Sequence, residues 1–275
     1  MTYHTPTDLA SALDIAAQSG GKVIAGGTDV YPAQKQGEGP EFYLDVTRIA
    51  EFSGITSRGK TFRIGATTTW TQIVKSDLPP AFNALKQAAR EVGSIQIQNA
   101  GTIAGNICNA SPAADGVPPL LALDAQVELI SAKRGTRVLP LSDFLKGVRK
   151  TTQMKDELVS ALLIPPVPNS ARSAFEKLGS RKYLVISISM VAVVLSCDTD
   201  GRISDARIAV GSCSPVAMRL PKLEKELIGK SAETIDVRED HLSSLSPITD
   251  VRGSGSYRLD VVAAQCKRAI ERAYR

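Results

Sequence analysis

The stretch Asn99-Ala-Gly-Thr-Ile-Ala-Gly-Asn-Ile-Cys-Asn-Ala110 holds two glycines, three alanines and no charged side chain. Such a composition suits a backbone that must come very close to something. Gly101 and Gly105 permit close approach, and Ala100 and Ala104 keep out of the way. Thr102, Asn106 and Asn109 add neutral hydrogen-bond donors. Neutral donors can hold a phosphate-type anion without a lysine, because bonds to an ion are charge-assisted. Asn106 and Asn109 read equally well as amides that cap local backbone.

A second glycine turn lies upstream. Ala25-Gly26-Gly27-Thr28 directly follows an apolar segment, Lys22 to Ala25, that reads as a strand. Its spacing is neither G-x-G-x-x-G nor G-x-x-x-x-G-K-[ST], which excludes the common dinucleotide and triphosphate loops. Alone it fits an ordinary turn as well as an anion cradle. Downstream, Asp115 offers a carboxylate acceptor for a sugar-type hydroxyl, although Asp115-Gly116 also reads as a turn.

The chain has 275 residues, 43% hydrophobic and 22% charged, with a net charge of +5. That composition is ordinary for a globular protein with a full-sized core. The basic excess falls between Lys133 and Lys155 and reads as a solvated face, or as a docking surface for an acidic partner. It is too weak for a nucleic-acid signature. The uncharged run Val185 to Cys197 is too short to span a bilayer, and the N-terminus has no basic and apolar leader. A cytoplasmic location is expected. Cys108, Cys197, Cys213 and Cys266 form no C-x-x-C pair, so no metal site is predicted. His4 and His241 lack ligand spacing and are expected on the surface.

Helical spacing of Leu9, Ala12, Leu13 and Ala16 predicts a first helix, with Pro6 at its start and Thr5 or Thr7 as cap. A turn over Gly37 to Pro40 and a strand over Glu41 to Val46 follow. Further strands are expected at Phe62–Ala66, Ala125–Ser131, Arg137–Leu141 and Glu157–Ile164, with helices beginning at Thr69 and Ala81. Pro165-Pro166 and the linker Val167 to Ser170 mark a boundary. Beyond it come strands Ile186–Leu195 and Ile203–Val210, joined by a turn over Asp198 to Arg202. Helices are expected over Lys222–Leu227, Ser231–Glu239 and Tyr257–Tyr274. The fold class is α+β.

Ala25-Gly-Gly-Thr-Asp29, Asn99-Ala-Gly-Thr-Ile-Ala-Gly-Asn106 and Ser111-Pro-Ala-Ala-Asp115 resemble the paired FAD motifs of the molybdenum hydroxylase flavoprotein subunit. That family includes the flavin parts of xanthine dehydrogenase and the medium subunits of carbon monoxide and N-heterocycle dehydrogenases. Gly211-Ser-Cys-Ser-Pro-Val-Ala-Met-Arg219 and Ser256-Tyr-Arg-Leu-Asp260 are similar to its C-terminal domain, so the resemblance runs almost end to end. It implies a PCMH-type FAD-binding fold over residues 1–168, with α/β subdomains of about 1–57 and 58–168. A C-terminal domain of antiparallel strands and helices would cover 169–275. It places Val23, Ile24, Ala25, Gly26, Gly27, Thr28, Asp29 and Val30 along the diphosphate and adenosine of FAD. Gly101, Thr102, Gly105, Asn106 and Asn109 would form the second flavin segment. Asp115 would hold a cofactor hydroxyl, and Leu158 or Val159 would touch the ring. The chain departs from the family at Gln98, commonly Arg, at Ala104, commonly Gly, and over Arg181 to Ser187, where an acidic and an aromatic residue are common.

The resemblance implies an oxidoreductase subunit that needs no catalytic side chain of its own. FAD would pass electrons from the [2Fe–2S] clusters of a small partner subunit to an external acceptor. A large partner subunit would carry the molybdenum cofactor, giving a heterotrimer or its dimer. The alternative is a stand-alone FAD oxidase or dehydrogenase acting on a small molecule, with Cys108 as the candidate for a covalent flavin link. A third reading is a nucleotide-binding or scaffold subunit that has lost FAD.

Overall fold

The computed structural model describes residues 2–34, 39–231 and 235–275. Gly37 and Glu38 of the expected turn, and residues 232–234 of the helix expected over 231–239, lie outside the described residues. The rest of that segment is not a regular α-helix: Ile235 to Arg238 is irregular and a 3-10 turn covers Glu239–Leu242.

The chain opens with β1 (Thr2–His4), α1 (Leu9–Ala16), β2 (Gly21–Ile24), α2 (Val30–Ala33) and β3 (Phe42–Asp45). The strands form a parallel sheet in the order β1-β3-β2. A parallel pair needs a crossover, and α1 supplies the one between β1 and β2. Its cap is Asp8, whose carboxylate accepts from the Ser11 N–H at 2.8 Å. Neither Thr5 nor Thr7 fills that role, because Asp8 is the residue just outside the first turn. Strand β1 is too short for a sequence pattern to mark.

A second sheet is built from β4 (Ile55–Arg58), β5 (Thr61–Gly65), β6 (Gln126–Ser131), β7 (Gly135–Pro140) and a later strand, Leu158–Ile164. Its order is β4-β5-(Leu158–Ile164)-β6-β7 and every pairing is antiparallel. Between β5 and β6 run α3 (Trp70–Lys75), α4 (Asn83–Glu91), α5 (Ile95–Ala100), α6 (Ile103–Asn109) and α7 (Val117–Ala122). After β7 come α8 (Leu141–Phe144) and the hairpin β8 (Leu145–Gly147) with β9 (Lys150–Thr151). The strand Leu158–Ile164 is therefore β10.

The third sheet holds β11 (Arg172–Leu178), β12 (Ser189–Cys197), β13 (Ile203–Gly211) and β14 (Met218–Arg219), antiparallel and in that order. Helices α9 (Pro221–Leu227) and α10 (Gly255–Tyr274) complete it. Along β12, Met190, Ala192 and Val194 join the core shared with the first two sheets. Val191, Val193 and Leu195 join a second core under α9 and α10. Both faces of the strand are covered, which is why its sequence is a continuous apolar run instead of an alternation. Strand β12 begins at Ser189, three residues after the expected start, because Leu184 to Ile186 lie in a cleft wall.

The opening stretch is not a loop. It is the end of α5, a corner at Gly101, and α6, capped by Thr102, whose hydroxyl accepts from the Gly105 N–H at 3.1 Å. Three backbone contacts dock this corner on the segment before α3. Trp70 N–H donates to the Gly101 carbonyl at 3.2 Å, Ile103 N–H to Thr68 at 3.0 Å and Ala104 N–H to Ala66 at 3.3 Å. Trp70 is 1% exposed beneath it. The first glycine turn packs on the same corner: a Cβ on Gly26 would overlap the Ala100 carbonyl.

The basic stretch after β6 is only partly a free face. The Arg137 guanidinium grips the buried Glu157 with two bonds of 2.7 and 2.8 Å, and Arg134 meets Asp156 at 2.5 Å. His241 is also not on the surface. It is 2% exposed, accepts the Arg238 N–H on Nδ1 at 3.1 Å and sets Nε2 2.7 Å from Glu226. Its burial follows from the turn at Glu239–Leu242, which folds under α9.

Two outcomes are expected. Gly26→Ala should lower unfolding stability by about 1–3 kcal/mol through overpacking, read from urea unfolding of cofactor-free protein. Glu157, held below its usual 4.5 by the Arg137 bonds, stabilises the fold fully above that pH and less as pH falls through its folded value. The stability gap between wild type and Glu157→Gln should therefore narrow below pH 4.5; a gap independent of pH would contradict this role.

Candidate functional site

A cleft of about 850 Å³ lies where the β2–α2 turn, the α5–α6 corner and the segment from Arg149 to Val159 meet. That volume falls within the range of cofactor and ligand sites. Val23, Ile24, Ala25, Gly26, Gly27, Thr28, Asp29 and Val30 line it, as do Gly101, Thr102, Gly105, Asn106, Asn109, Asp115 and Leu158. The two glycine motifs, seventy residues apart in sequence, thus share one cavity.

Each glycine has its own reason. Gly27 sits at φ +69°, and a Cβ there would lie 2.6 Å from the Tyr31 ring, so the turn into α2 requires glycine. Gly26 is required by the Ala100 carbonyl. Gly105 differs. A Cβ there would meet only the Thr102 hydroxyl, at 3.0 Å, and otherwise stand in the open cleft. It is the glycine whose missing side chain leaves room for a ligand.

Asn106 supplies the clearest sign of a missing partner. Its Oδ1 is buried and has no hydrogen-bond partner among the described residues. Buried acceptors are nearly always satisfied, so an orphan lining a cleft points to a donor on a bound molecule. Gly116 leaves room for Trp70 and for this oxygen, since a Cβ there would lie 2.4 Å from the Trp70 ring and 2.9 Å from Asn106 Oδ1.

Asp115 lines the cleft but is 8% exposed, and both its oxygens are engaged. Lys177 Nζ donates to Oδ2 at 2.7 Å and the Ser187 hydroxyl to Oδ1 at 2.6 Å. Burial pushes the Asp115 carboxyl up, and Lys177 and Ser187 work against that shift. The pair ties β11 and the start of β12 to the turn before α7. A carboxylate has about four acceptor positions, so two engaged bonds leave capacity for a hydroxyl. Lys177 carried no sequence signal, because β11 shows no clean alternation.

The remaining wall is apolar. Leu158 and Val159 enter from β10, and Leu184, Val185 and Ile186 from the bend before β12. That bend has Leu184 at φ +52°, fixed by Arg181 donating twice to the Leu184 carbonyl at 2.6 and 3.2 Å. Tyr183 is 66% exposed and does not line the cleft. Gln98 is also outside it, its side chain donating to the Arg90 carbonyl at 2.9 Å, whereas Ala104 lines it. Trp70, Arg149 and Gln153 line the cleft without having been singled out. The chain's only tryptophan and an arginine inside the basic run were the available signals.

Cys108 donates its thiol to the Gln153 side-chain oxygen at 3.6 Å, and burial pushes it up to about 12. A thiol held protonated is a poor nucleophile, which weighs against a covalent flavin link. Among the described residues, no three His, Cys, Asp or Glu side chains gather in a way that could hold a metal ion. No described helix is long and apolar enough to cross a membrane. A polar, glycine-lined end with an orphaned acceptor and an apolar end fit a flavin dinucleotide: diphosphate and hydroxyls at the first, a flat ring at the second.

Comparison with known proteins agrees. Residues 1–167 match the FAD binding domain in molybdopterin dehydrogenase, and residues 173–273 match the CO dehydrogenase flavoprotein C-terminal domain. The putative xanthine dehydrogenase FAD-binding subunit XdhB of Escherichia coli K12 is 31% identical over 281 residues, covering 99% of this chain and 95% of that protein. The carbon monoxide dehydrogenase medium chain of Hydrogenophaga pseudoflava is 29% identical, over 99% and 96%. A chain of reconstituted CO dehydrogenase from Oligotropha carboxidovorans superposes with a TM-score of 0.90 at 27% identity, covering 100% of this chain and 97% of that one. With both halves matched in order and the fold shared end to end, the chain belongs to the FAD-binding medium-subunit family of the molybdenum-containing dehydrogenases, as an oxidoreductase subunit.

Proposed function

We propose that this chain holds FAD and passes electrons from the [2Fe–2S] clusters of a small partner subunit to an external acceptor. A large partner subunit carries the molybdenum cofactor where substrate is oxidised, and the three assemble as a heterotrimer or its dimer. The FAD-binding domain is assigned to residues 1–168 and the C-terminal domain to 169–275. The working complex is placed in the cytoplasm. The observation that carries the reading is the shared cleft of the two glycine motifs, lined also by Asn106, whose Oδ1 is unsatisfied among the described residues.

In this reading Gly26 to Val30 cradle the diphosphate through backbone N–H groups of a tight turn. Thr102 and Asn109 supply neutral side-chain bonds, and Gly105 gives room for the chain of the cofactor. Asn106 Oδ1 and the free acceptor positions of Asp115 take cofactor hydroxyls. Leu158, Val159 and the 184–186 bend exclude water from the ring. FAD itself supplies the ability to take electrons singly and release them in pairs. No side chain has to act as an acid or base for that transfer. The four cysteines support placing the clusters on a partner: Cys213 and Cys266 are buried in the C-terminal core, Cys197 packs against that core, and Cys108 lies in the cleft.

Gly105→Val directs a branched side chain into the cleft and disturbs only the Thr102 cap. FAD content, read from the visible spectrum of purified protein, should fall at least about tenfold, a loss of roughly 1.4 kcal/mol in binding. The urea midpoint of cofactor-free protein should stay near wild type. Full FAD content in Gly105→Val would rule out this placement. Pulled from its native host by an affinity tag, the chain should bring two further subunits, with molybdenum, iron and acid-labile sulfide. Recovery of this chain alone with FAD would sink the assembly proposed.

A further inference from the structure

The two glycine motifs bring no positive charge to the cleft. The turn after β2 and the α5–α6 corner offer backbone N–H groups, hydroxyls and amides, all neutral, and Asp29 adds a carboxylate to the same lining. Asn109 is the last residue of α6, where the ends of the backbone carbonyls carry partial negative charge. A diphosphate beside Asn109, ionised on both phosphates, would find neutral donors there but no counter-charge within the motifs themselves.

Three cations line the cleft, Lys22, Arg149 and Lys155. The side chains of Lys22 and Lys155 make no hydrogen bond or ion pair among the described residues, so nothing fixes where their charge sits. Arg149 differs, because it is bonded to the second glycine motif itself. Its backbone N–H donates to the Ala110 carbonyl at 2.9 Å. Its Nη1 donates to the Asn109 backbone carbonyl at 3.3 Å and to the Asn109 side-chain oxygen. Both acceptors are neutral, so the positive charge is fixed in place without being cancelled. The N–H groups on Nε and Nη2 have no acceptor among the described residues. The contact also orients Asn109: with Oδ1 turned to Arg149, the amide nitrogen is the half left to donate. Arg149 holds φ +58° at the tip of the β8–β9 hairpin, a conformation that glycine adopts at less cost. An arginine kept in the left-handed region is a reason to look for a use of its side chain.

We propose that Arg149 is a further cofactor-binding residue, which supplies the counter-charge for the FAD diphosphate at Asn109 and sets the Asn109 amide that donates to it. The inference rests on the FAD reading above, and it extends the site to the β8–β9 hairpin, an element outside both glycine motifs. The competing role is closure of the α6 end alone, since a cation at a helix C-terminus is favourable without any ligand.

The test is the FAD dissociation constant of the full chain, stripped of cofactor and titrated with FAD at low and high salt, beside its urea midpoint without FAD. Arg149→Met should bind FAD about tenfold more weakly at low salt, the scale of a lost bond to a charged group. The gap should shrink as salt rises, because charge effects at a partly open cleft are screened. Arg149→Lys keeps the charge without the forked geometry and should stay within about threefold of wild type. Arg149→Gly suits the left-handed backbone, so it should lose FAD as Arg149→Met does while its urea midpoint stays near wild type. Lys22→Met and Lys155→Met should each change the constant less than about threefold, as for unfixed charges in solvent. Wild-type FAD affinity in Arg149→Met and Arg149→Gly overturns the proposal and leaves the FAD reading intact. A loss that lysine does not rescue and that follows a fallen urea midpoint is the mark of helix closure alone, and it overturns the proposal too. Absence of FAD binding by the wild-type chain overturns both.

Discussion

The structure turns on a contact with no room for a side chain. The Gly26 backbone lies against the Ala100 carbonyl, so the turn after β2 and the corner between α5 and α6 meet backbone to backbone. Such an approach forces glycine on one partner, and it converts two separate motifs into one wall. Thr28 extends the contact, its hydroxyl lying 3.4 Å from where a Gly101 Cβ would be. The corner in turn is hung on Thr68, Trp70 and Ala66 by backbone bonds. Site and scaffold are thus the same object, and a change at the contact alters both stability and the cleft.

The far side of the cleft is set by a buried charge. Asp115, in the turn before α7, and Lys177, on β11, are both nearly out of water. A charge in that position requires a counter-charge, and breaking the pair from one side would leave the other exposed to the full desolvation cost, roughly 3–5 kcal/mol. The pair, with Ser187, fixes the bend that brings Leu184 to Ile186 over the apolar end. Strand β12 finishes the link by feeding alternate side chains to two cores at once. The C-terminal sheet therefore buttresses a wall of the cleft and is not an appendage to it.

Much of the site was legible because glycine and amide side chains carry information at short range. Gly27 needs a positive φ and Gly105 needs open space, and both constraints act on a single residue. Long apolar elements such as β12 and α10 were also plain, since their patterns repeat over many residues. What escaped were features with no local cause. Strand β1 is three residues long and is stabilised by pairing with β3, forty residues away. His241 reads as an ordinary polar residue, and only Glu226 and Arg238, brought up by α9 and the turn, make its burial tolerable. Gln98, beside the glycine motif in sequence, turned out to cap α4 outside the cleft.

By itself the sequence determined the α+β class and the two glycine motifs that line the cleft, because turn geometry and periodic burial are written in neighbouring residues. Only the tertiary structure decided that the opening stretch is a capped helix corner, that Gly26 serves packing while Gly105 borders the open cleft, and that Asp115 shares its charge with Lys177. Those facts depend on which backbone atoms and charges are brought together from distant parts of the chain, and no local pattern encodes that proximity.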